Sequence, residues 1–202
     1  AAAFPADGRA VVTAGDDERL RLWHARDGRQ LWISERLGNP LLGLDVDPGG
    51  ERVACSLVGG RVRVHRLKDG RPLFDLDGHD GDVPVVRFYA DGARLLSAGA
   101  ERAGRASNGA PPAASPTGRV VAWNTIDQSQ VLRLDRPRAI VAADVTADGA
   151  MLATVEQDER VVRRWSRADD AAGYQPRGEL AAHERAITAV RFAPDGASLL
   201  TA

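Results

Sequence analysis

The chain has 202 residues, and its 27 basic and 28 acidic side chains leave a formal net charge of -1. This balance excludes the strong positive field expected of a protein that binds nucleic acid or an acidic membrane surface. A chain of this length buries roughly 70% of its unfolded surface, so its core needs no disulfide or metal ion. Its only cysteine, Cys55, has no partner within the chain, which excludes a disulfide scaffold.

Arginine supplies nearly all of the positive charge, and Lys68 is the only lysine. Together with the many alanines and glycines, this bias indicates a GC-rich coding genome and favours a bacterial source. No apolar run is long enough to cross a bilayer, and the first residues show no signal peptide. We therefore expect no membrane insertion and a cytoplasmic location.

One pattern occurs five times along the chain: an apolar run, a turn that contains glycine, and a second apolar run. The turn glycines are Gly8, Gly50, Gly92, Gly149 and Gly196. Their spacings are 42, 42, 57 and 47 residues, so two intervals are equal and two are longer. The extra length is explained by two insertions, which lie in residues 103–118 and 166–178.

Each repeat contains four short apolar runs that are typical of β-strands. In the second repeat the predicted strands are Leu41–Val46, Arg52–Val58, Arg61–Leu67 and Pro72–Leu76. Glycine-containing turns suit the tight connections between them, because glycine accepts a positive φ. The absence of longer helical patterns predicts an all-β fold of four-stranded antiparallel sheets, and a unit of about 42 residues has the size of one β-propeller blade.

Histidines and tryptophans recur at fixed places in these repeats. Gly78 and His79 precede Phe88, and His183 stands at the same distance before Phe192. The third strands RLRLW, VVAW and VVRRW end in tryptophan, and the segments TAGDD, SAGAE and TVEQD stand before them. On these motifs the sequence resembles the WD-repeat (Trp-Asp) family over essentially the whole chain outside the two insertions.

The resemblance implies a buried network in which a His bonds a Ser or Thr and an Asp, and a Trp completes the chain of hydrogen bonds. Buried polar groups are costly unless they are paired, so such a network has a structural role. The implied members are Thr13, Asp17, Trp23, His79, Ser97, Trp123, Thr154, Asp158, Trp165, His183 and Thr201. Leu37 and Arg136 replace the expected His, and His65 replaces a Trp. In the third repeat the insertion is expected to displace the Asp.

The resemblance also implies one propeller segment over residues 1–202, with about 4.5 blades and a ring that does not close. The expected blades are 4–34 (partial), 41–77, 83–135, 139–181 and 187–202 (partial), with the insertion 103–118 in a loop. Because the chain lacks an initiating Met and spans few units, we expect it to be part of a longer protein.

Strand alternation places the loops between second and third strands at the same end as the loops between blades. We expect function at this end, since binding residues are commonly carried by loops on a rigid scaffold. The insertion 103–118 lies there, either as a partner contact or as a tolerated insertion. Charged residues on the first strands, namely Asp45, Arg87, Asp144 and Arg191, are expected to be solvated or paired at the rim of the channel.

The sequence contains no recognisable constellation for catalysis, for a cofactor or for a metal ion. Its four histidines do not pair at helical spacing, and the nucleophile-elbow, P-loop and dinucleotide-binding motifs are absent. The resemblance therefore implies a non-catalytic scaffold that binds protein or peptide partners. Two alternatives remain: a sensor or regulatory propeller within a larger bacterial protein, such as a fused kinase or protease, and a propeller hydrolase or lyase with a channel site.

Overall fold

A computed structural model describes residues 1–102, 117–167, 173–181 and 183–202. Every regular element in these ranges is a β-strand, which confirms the predicted all-β fold. These ranges accordingly contain no helix that could span a membrane.

Consecutive strands pair antiparallel into four four-stranded sheets and one two-stranded sheet. Sheet 1 consists of β1 (Ala2–Ala3), β2 (Ala10–Ala14), β3 (Leu20–His24) and β4 (Gln30–Ile33). Sheet 2 consists of β5 (Leu41–Val46), β6 (Arg52–Leu57), β7 (Val62–Arg66) and β8 (Pro72–Leu76). Sheet 3 consists of β9 (Val85–Phe88), β10 (Arg94–Glu101), β11 (Thr117–Asn124) and β12 (Gln130–Arg136).

The remaining strands form the last two sheets. Sheet 4 consists of β13 (Ile140–Val145), β14 (Met151–Glu156), β15 (Val161–Ser166) and β16 (Gln175–Ala181). Sheet 5 consists of β17 (Val190–Phe192) and β18 (Leu199–Thr201). The first strand of each sheet contacts the first and second strands of the sheet before it, so the described residues form an open arc of sheets around β5, β9, β13 and β17.

A separate apolar core lies between each pair of neighbouring sheets. Between sheets 1 and 2 it includes Val12 and Leu57, and between sheets 2 and 3 it includes Val64 and Trp123. The sheet 3–4 core contains Trp165 among its members, and a smaller cluster joins sheets 4 and 5. Sheets 2, 3 and 4 are thus each buried on both faces by their neighbours, which explains why their inner strands are rich in Val, Leu and Ala.

Three boundaries differ from those expected from the sequence. Ala2–Ala3 pairs with β2, so the first sheet has a first strand that a start at residue 4 leaves out. Thr117 and Gly118 belong to β11, which shortens the insertion expected at 103–118, and residues 103–116 lie outside the described ranges. Within the second insertion, β16 begins at Gln175, because this segment pairs with β15.

The loops after the second strands share one end of the arc with the loops between sheets. Backbone hydrogen bonds join the two sets: Val58 donates to the carbonyl of Pro40 at 2.9 Å, and Gln157 donates to that of Ala139 at 2.8 Å. We call this the loop end. The opposite end, which carries the glycine turns such as Gly50 and Gly92 with positive φ, is called the turn end.

Candidate functional site

Sheet 3 contains a buried chain of four hydrogen-bonded side chains. The Trp123 indole donates to Ser97 Oγ at 2.8 Å, and Ser97 Oγ lies 2.8 Å from His79 Nε2. On the other side of the ring, His79 Nδ1 lies 2.6 Å from Glu101 Oε1. If the Ser97 hydroxyl donates to Nε2 and Nδ1–H donates to Glu101, every group in the chain has a partner.

Glu101 is the most highly connected member of this chain. Its second oxygen accepts a hydrogen bond from Arg119 Nη1 at 2.8 Å and one from the backbone N–H of Asp80 at 3.1 Å. The expectation that the insertion displaces the acidic position is therefore wrong. Glu101 stands four residues after Ser97, as Asp17 does after Thr13, and comparison of SAGAE with TAGDD could have identified it.

Sheet 4 replaces the histidine with an arginine. The Trp165 indole donates to Thr154 Oγ1 at 3.0 Å. Arg136 donates to Glu156 Oε1 at 2.8 Å, and its guanidinium carbon lies 4.9 Å from the centre of the Trp165 ring. Asp158, which the resemblance implies as the acidic member, lies in the turn after β14 with a φ of 62°. Glu156 is the acid that pairs with Arg136.

The other sheets contain shorter versions of the network. In sheet 1 the Trp23 indole donates to Thr13 Oγ1 at 2.8 Å, whereas Asp17 is 45% exposed and pairs with Arg21. In sheet 5, His183 Nε2 lies 2.7 Å from Thr201 Oγ1. The resemblance therefore locates the hydrogen-bonded pairs of sheets 1 and 5, but it does not explain why Asp17 is exposed.

Sheet 2 has an apolar version, in which Leu37, Cys55 and His65 stand at the His, Ser and Trp positions. His65 Nδ1 lies 2.9 Å from the carbonyl of Gly70. Complete burial raises the pKa of the Cys55 thiol to about 12, so the thiol stays protonated and unreactive. This cysteine is a packing residue.

The first strands of sheets 2 to 5 carry a row of alternating charges at equivalent positions. Oδ2 of Asp45 accepts the N–H of Phe88 at 2.7 Å, and Oδ2 of Asp144 accepts that of Phe192 at 2.7 Å. Each aspartate therefore ties its sheet to the next one. We call Asp45, Arg87, Asp144 and Arg191 the channel row.

The contacts between the arginines and the aspartates of the channel row are longer than hydrogen bonds. Arg87 lies 3.8 Å from Asp45 Oδ1 and 3.7 Å from Asp144 Oδ1, and Arg191 lies 3.8 Å from the same Asp144 oxygen. The charges are thus paired, which is one of the two arrangements expected from the sequence. Desolvation exceeds this attraction, so burial raises the pKa of Asp45 to about 6 and also raises the pKa of Asp144.

We expect Asp45→Asn to stabilise the fold at neutral pH. A carboxyl whose pKa is raised by folding stabilises the protein below its unfolded pKa of about 4, and this contribution is lost as pH rises through about 6. The amide can still accept the Phe88 N–H but carries no charge. Chemical denaturation should therefore show no gain at about pH 4 and a gain on the order of 1–2 kcal/mol at about pH 7. A gain that is independent of pH would contradict this expectation.

Comparison with known proteins gives two findings about the fold. The family model "WD domain, G-beta repeat" matches residues 1–24 and 174–202. A chain in the structure titled "Crystal Structure of Mitotic Checkpoint Complex" superposes with a TM-score of 0.81, at 14% identity, over 100% of this chain and 60% of that one. The fold is that of a β-propeller segment, and two stretches of its sequence match the WD-repeat model.

Curated relatives match parts of this propeller sequence. Protein groucho of Drosophila melanogaster is 23% identical over 76% of the chain and 19% of its own length. WD repeat-containing protein RUP2 of Arabidopsis thaliana is 34% identical over 45% of the chain and 24% of its own length. The chain thus spans a quarter or less of the length of these relatives, both of which are eukaryotic.

The buried chain of Ser97, His79 and Glu101 has the distances of a Ser–His–acid catalytic triad, but it is not accessible to a substrate. Ser97 is completely buried, and its Oγ already accepts the Trp123 N–H, so a substrate cannot reach it. Within the described ranges, no group of three or more His, Cys, Asp or Glu side chains is arranged to hold a metal ion. The network therefore acts on the stability and register of the blades.

Proposed function

We propose that the chain is part of a non-catalytic scaffold that binds protein or peptide partners at the loop end of the propeller. The observation that carries this proposal is that the loops at this end are held in place by hydrogen bonds to one another. Loops from neighbouring sheets are joined there by backbone hydrogen bonds, and Gly59 N–H also bonds the Asp82 carboxylate at 3.1 Å. Recognition residues are commonly presented by loops on such a framework.

Charged side chains on these loops remain available to a partner. Asp77 is 80% exposed, and Arg138 is 55% exposed although it lies 3.7 Å from Glu159. Exposed pairs of this kind are worth little to folding, so their exchange for contacts with a partner costs little stability. By contrast, the charges of the channel row pair with one another, which favours the scaffold over a hydrolase or lyase with a channel site.

A bacterial source, a longer parent chain and a cytoplasmic location belong to the same proposal. The use of arginine in place of lysine supports the first, although the relatives reported above are eukaryotic. The match to only part of each relative supports the second. A single buried cysteine, which is typical of a reducing compartment, supports the third.

Charge reversal at the two ends of the propeller tests where partners bind. We expect Arg138→Glu, at the loop end, to weaken capture of partners by the full-length protein by about tenfold, since rim charges steer association. Arg26→Glu, an exposed turn-end arginine, is the matched control and should leave capture unchanged. Equal capture by both variants would place the binding surface elsewhere. Deletion of residues 103–116 tests in the same assay whether the insertion contributes.

A further inference from the structure

A small cavity opens between the first strands of sheets 3, 4 and 5. Its volume is about 170 Å³, and it is lined by Arg87, Arg191 and residues 141–143 and 188–190. This is the room of about six water molecules, enough for an ion of a few heavy atoms but not for a nucleotide. Its lining belongs to the first strands β9, β13 and β17 and to the residues just before them, so it lies in the channel next to the loops between sheets.

The guanidinium groups of two residues that line this cavity lie near one carboxylate oxygen. Arg87 Nε and Arg191 Nη1 approach the same oxygen, Asp144 Oδ1, at 3.7 and 3.8 Å. Neither distance is that of a hydrogen bond. Arg87 Nη1 donates to the Val86 carbonyl at 2.8 Å, which leaves its Nε–H for a ligand, and Arg191 Nη1 donates only weakly, at 3.4 Å, to the carbonyl of Val190. Two guanidinium groups held around one point, with N–H groups left for a shorter contact, match the oxygen atoms of a carboxylate or a sulfate.

We infer that this cavity is a binding site for a small oxyanion, in which Arg87 and Arg191 hold the anion in place of their loose contact with Asp144. The inference goes beyond the proposed partner surface, because it concerns the channel. The oxyanion can be a free inorganic ion or the side-chain carboxylate of a bound peptide. Both present the same oxygen atoms to the two arginines.

Asp144 competes with the anion, so binding should depend on pH. The charged groups that face this point are the four members of the channel row: Asp45 on β5, Arg87 on β9, Asp144 on β13 and Arg191 on β17. Their cross-strand neighbours are all apolar, namely Ala54, Leu96, Ala153 and Leu200. Protonation of an aspartate removes a counter-charge from the arginines, and burial raises the pKa of Asp45 to about 6 and also raises the pKa of Asp144.

Titration of the full chain with inorganic sulfate, followed by NMR or calorimetry, tests the site. We expect saturable binding at about pH 5.5 and binding weaker by about threefold or more at about pH 7.5, because Asp45, whose pKa burial raises to about 6, is then ionised beside Arg87. Arg191→Gln should weaken binding about tenfold, and because Arg191 is 50% exposed the substitution should leave the denaturation midpoint unchanged. Asp144→Asn should strengthen binding at pH 7.5, since it removes a competing charge while its amide still accepts the Phe192 N–H.

Arg133→Gln is the matched control, because Arg133 is 52% exposed on the outer strand β12 and pairs with Asp135. It should bind sulfate as the wild type does. A capped peptide whose only charge is one glutamate distinguishes the two sources: displacement of bound sulfate by this peptide, but not by its glutamine version, shows that a side-chain carboxylate fits. The absence of saturable sulfate binding at pH 5.5, or equal binding by Arg191→Gln and wild type, would overturn the inference.

Discussion

Glu101→Ala is expected to destabilise the protein by about 3 kcal/mol or more, because it removes one partner from a buried charged network. Glu101 is 3% exposed and accepts hydrogen bonds with both oxygens. Its removal leaves the completely buried His79 ring and the largely buried Arg119 guanidinium without their common partner. Glu101→Gln retains an acceptor and should lose less than Glu101→Ala. Urea denaturation followed by tryptophan fluorescence measures both losses.

Two acidic residues provide controls for this prediction. Asp135 bonds the same Arg119 at 2.8 Å but is 54% exposed, so Asp135→Ala should cost less than about 0.5 kcal/mol. Asp17 stands at the repeat position of Glu101 in sheet 1 and is 45% exposed, so Asp17→Ala should also leave the denaturation midpoint nearly unchanged. Equal losses for Glu101→Ala and Asp17→Ala would contradict the distinction between a buried and a surface network.

The contrast between Glu101 and Asp17 shows how far the sequence could predict the site. The period of 42 residues predicts the strands and the sheets, since alternating apolar residues and glycine turns act locally. In the second repeat the predicted strands match β5 to β8 to within one residue at each end. The same period aligns Asp17, Glu101 and Asp158, although only Glu101 joins a buried network. Burial depends on which loop of a neighbouring sheet covers the position, and a single repeat does not contain that information.

Arginine in the fourth sheet shows a second limit of the sequence. In the sequence, Arg136 is recognisable only as a departure from the family pattern, since it stands where a His is expected. The structure satisfies it with Glu156, which lies two residues before the expected Asp158, and with the face of Trp165. This pairing depends on the register between β14 and β15. The sequence obscures that register, because the segment from Thr154 to Trp165 is one residue longer than the segment from Thr13 to Trp23.

Gly99→Ala is the second substitution with a large expected effect, about 2–3 kcal/mol, because it forces atoms into a filled space. A methyl group on Gly99 would overlap the carbonyl oxygen of Asp82 and lie 2.7 Å from the Cα atom of Val83. These are backbone atoms, and the carbonyl is fixed by a 2.8 Å hydrogen bond from Ala100 N–H. The loop before β9 therefore cannot move away without breaking its contact with β10.

Gly15→Ala is the matched control for this substitution, since Gly15 occupies the same repeat position in sheet 1. A methyl group there would meet only the Asp17 carboxylate, at an ordinary 3.6 Å, and Gly15 has no positive φ. Thermal denaturation should thus show a large loss for Gly99→Ala and little change for Gly15→Ala. Similar losses would mean that the intrinsic strand preference of glycine, and not the covering loop, determines the cost. A loss confined to Gly99 would show that the loop between sheets 2 and 3 packs on β10, beside the buried Glu101 network.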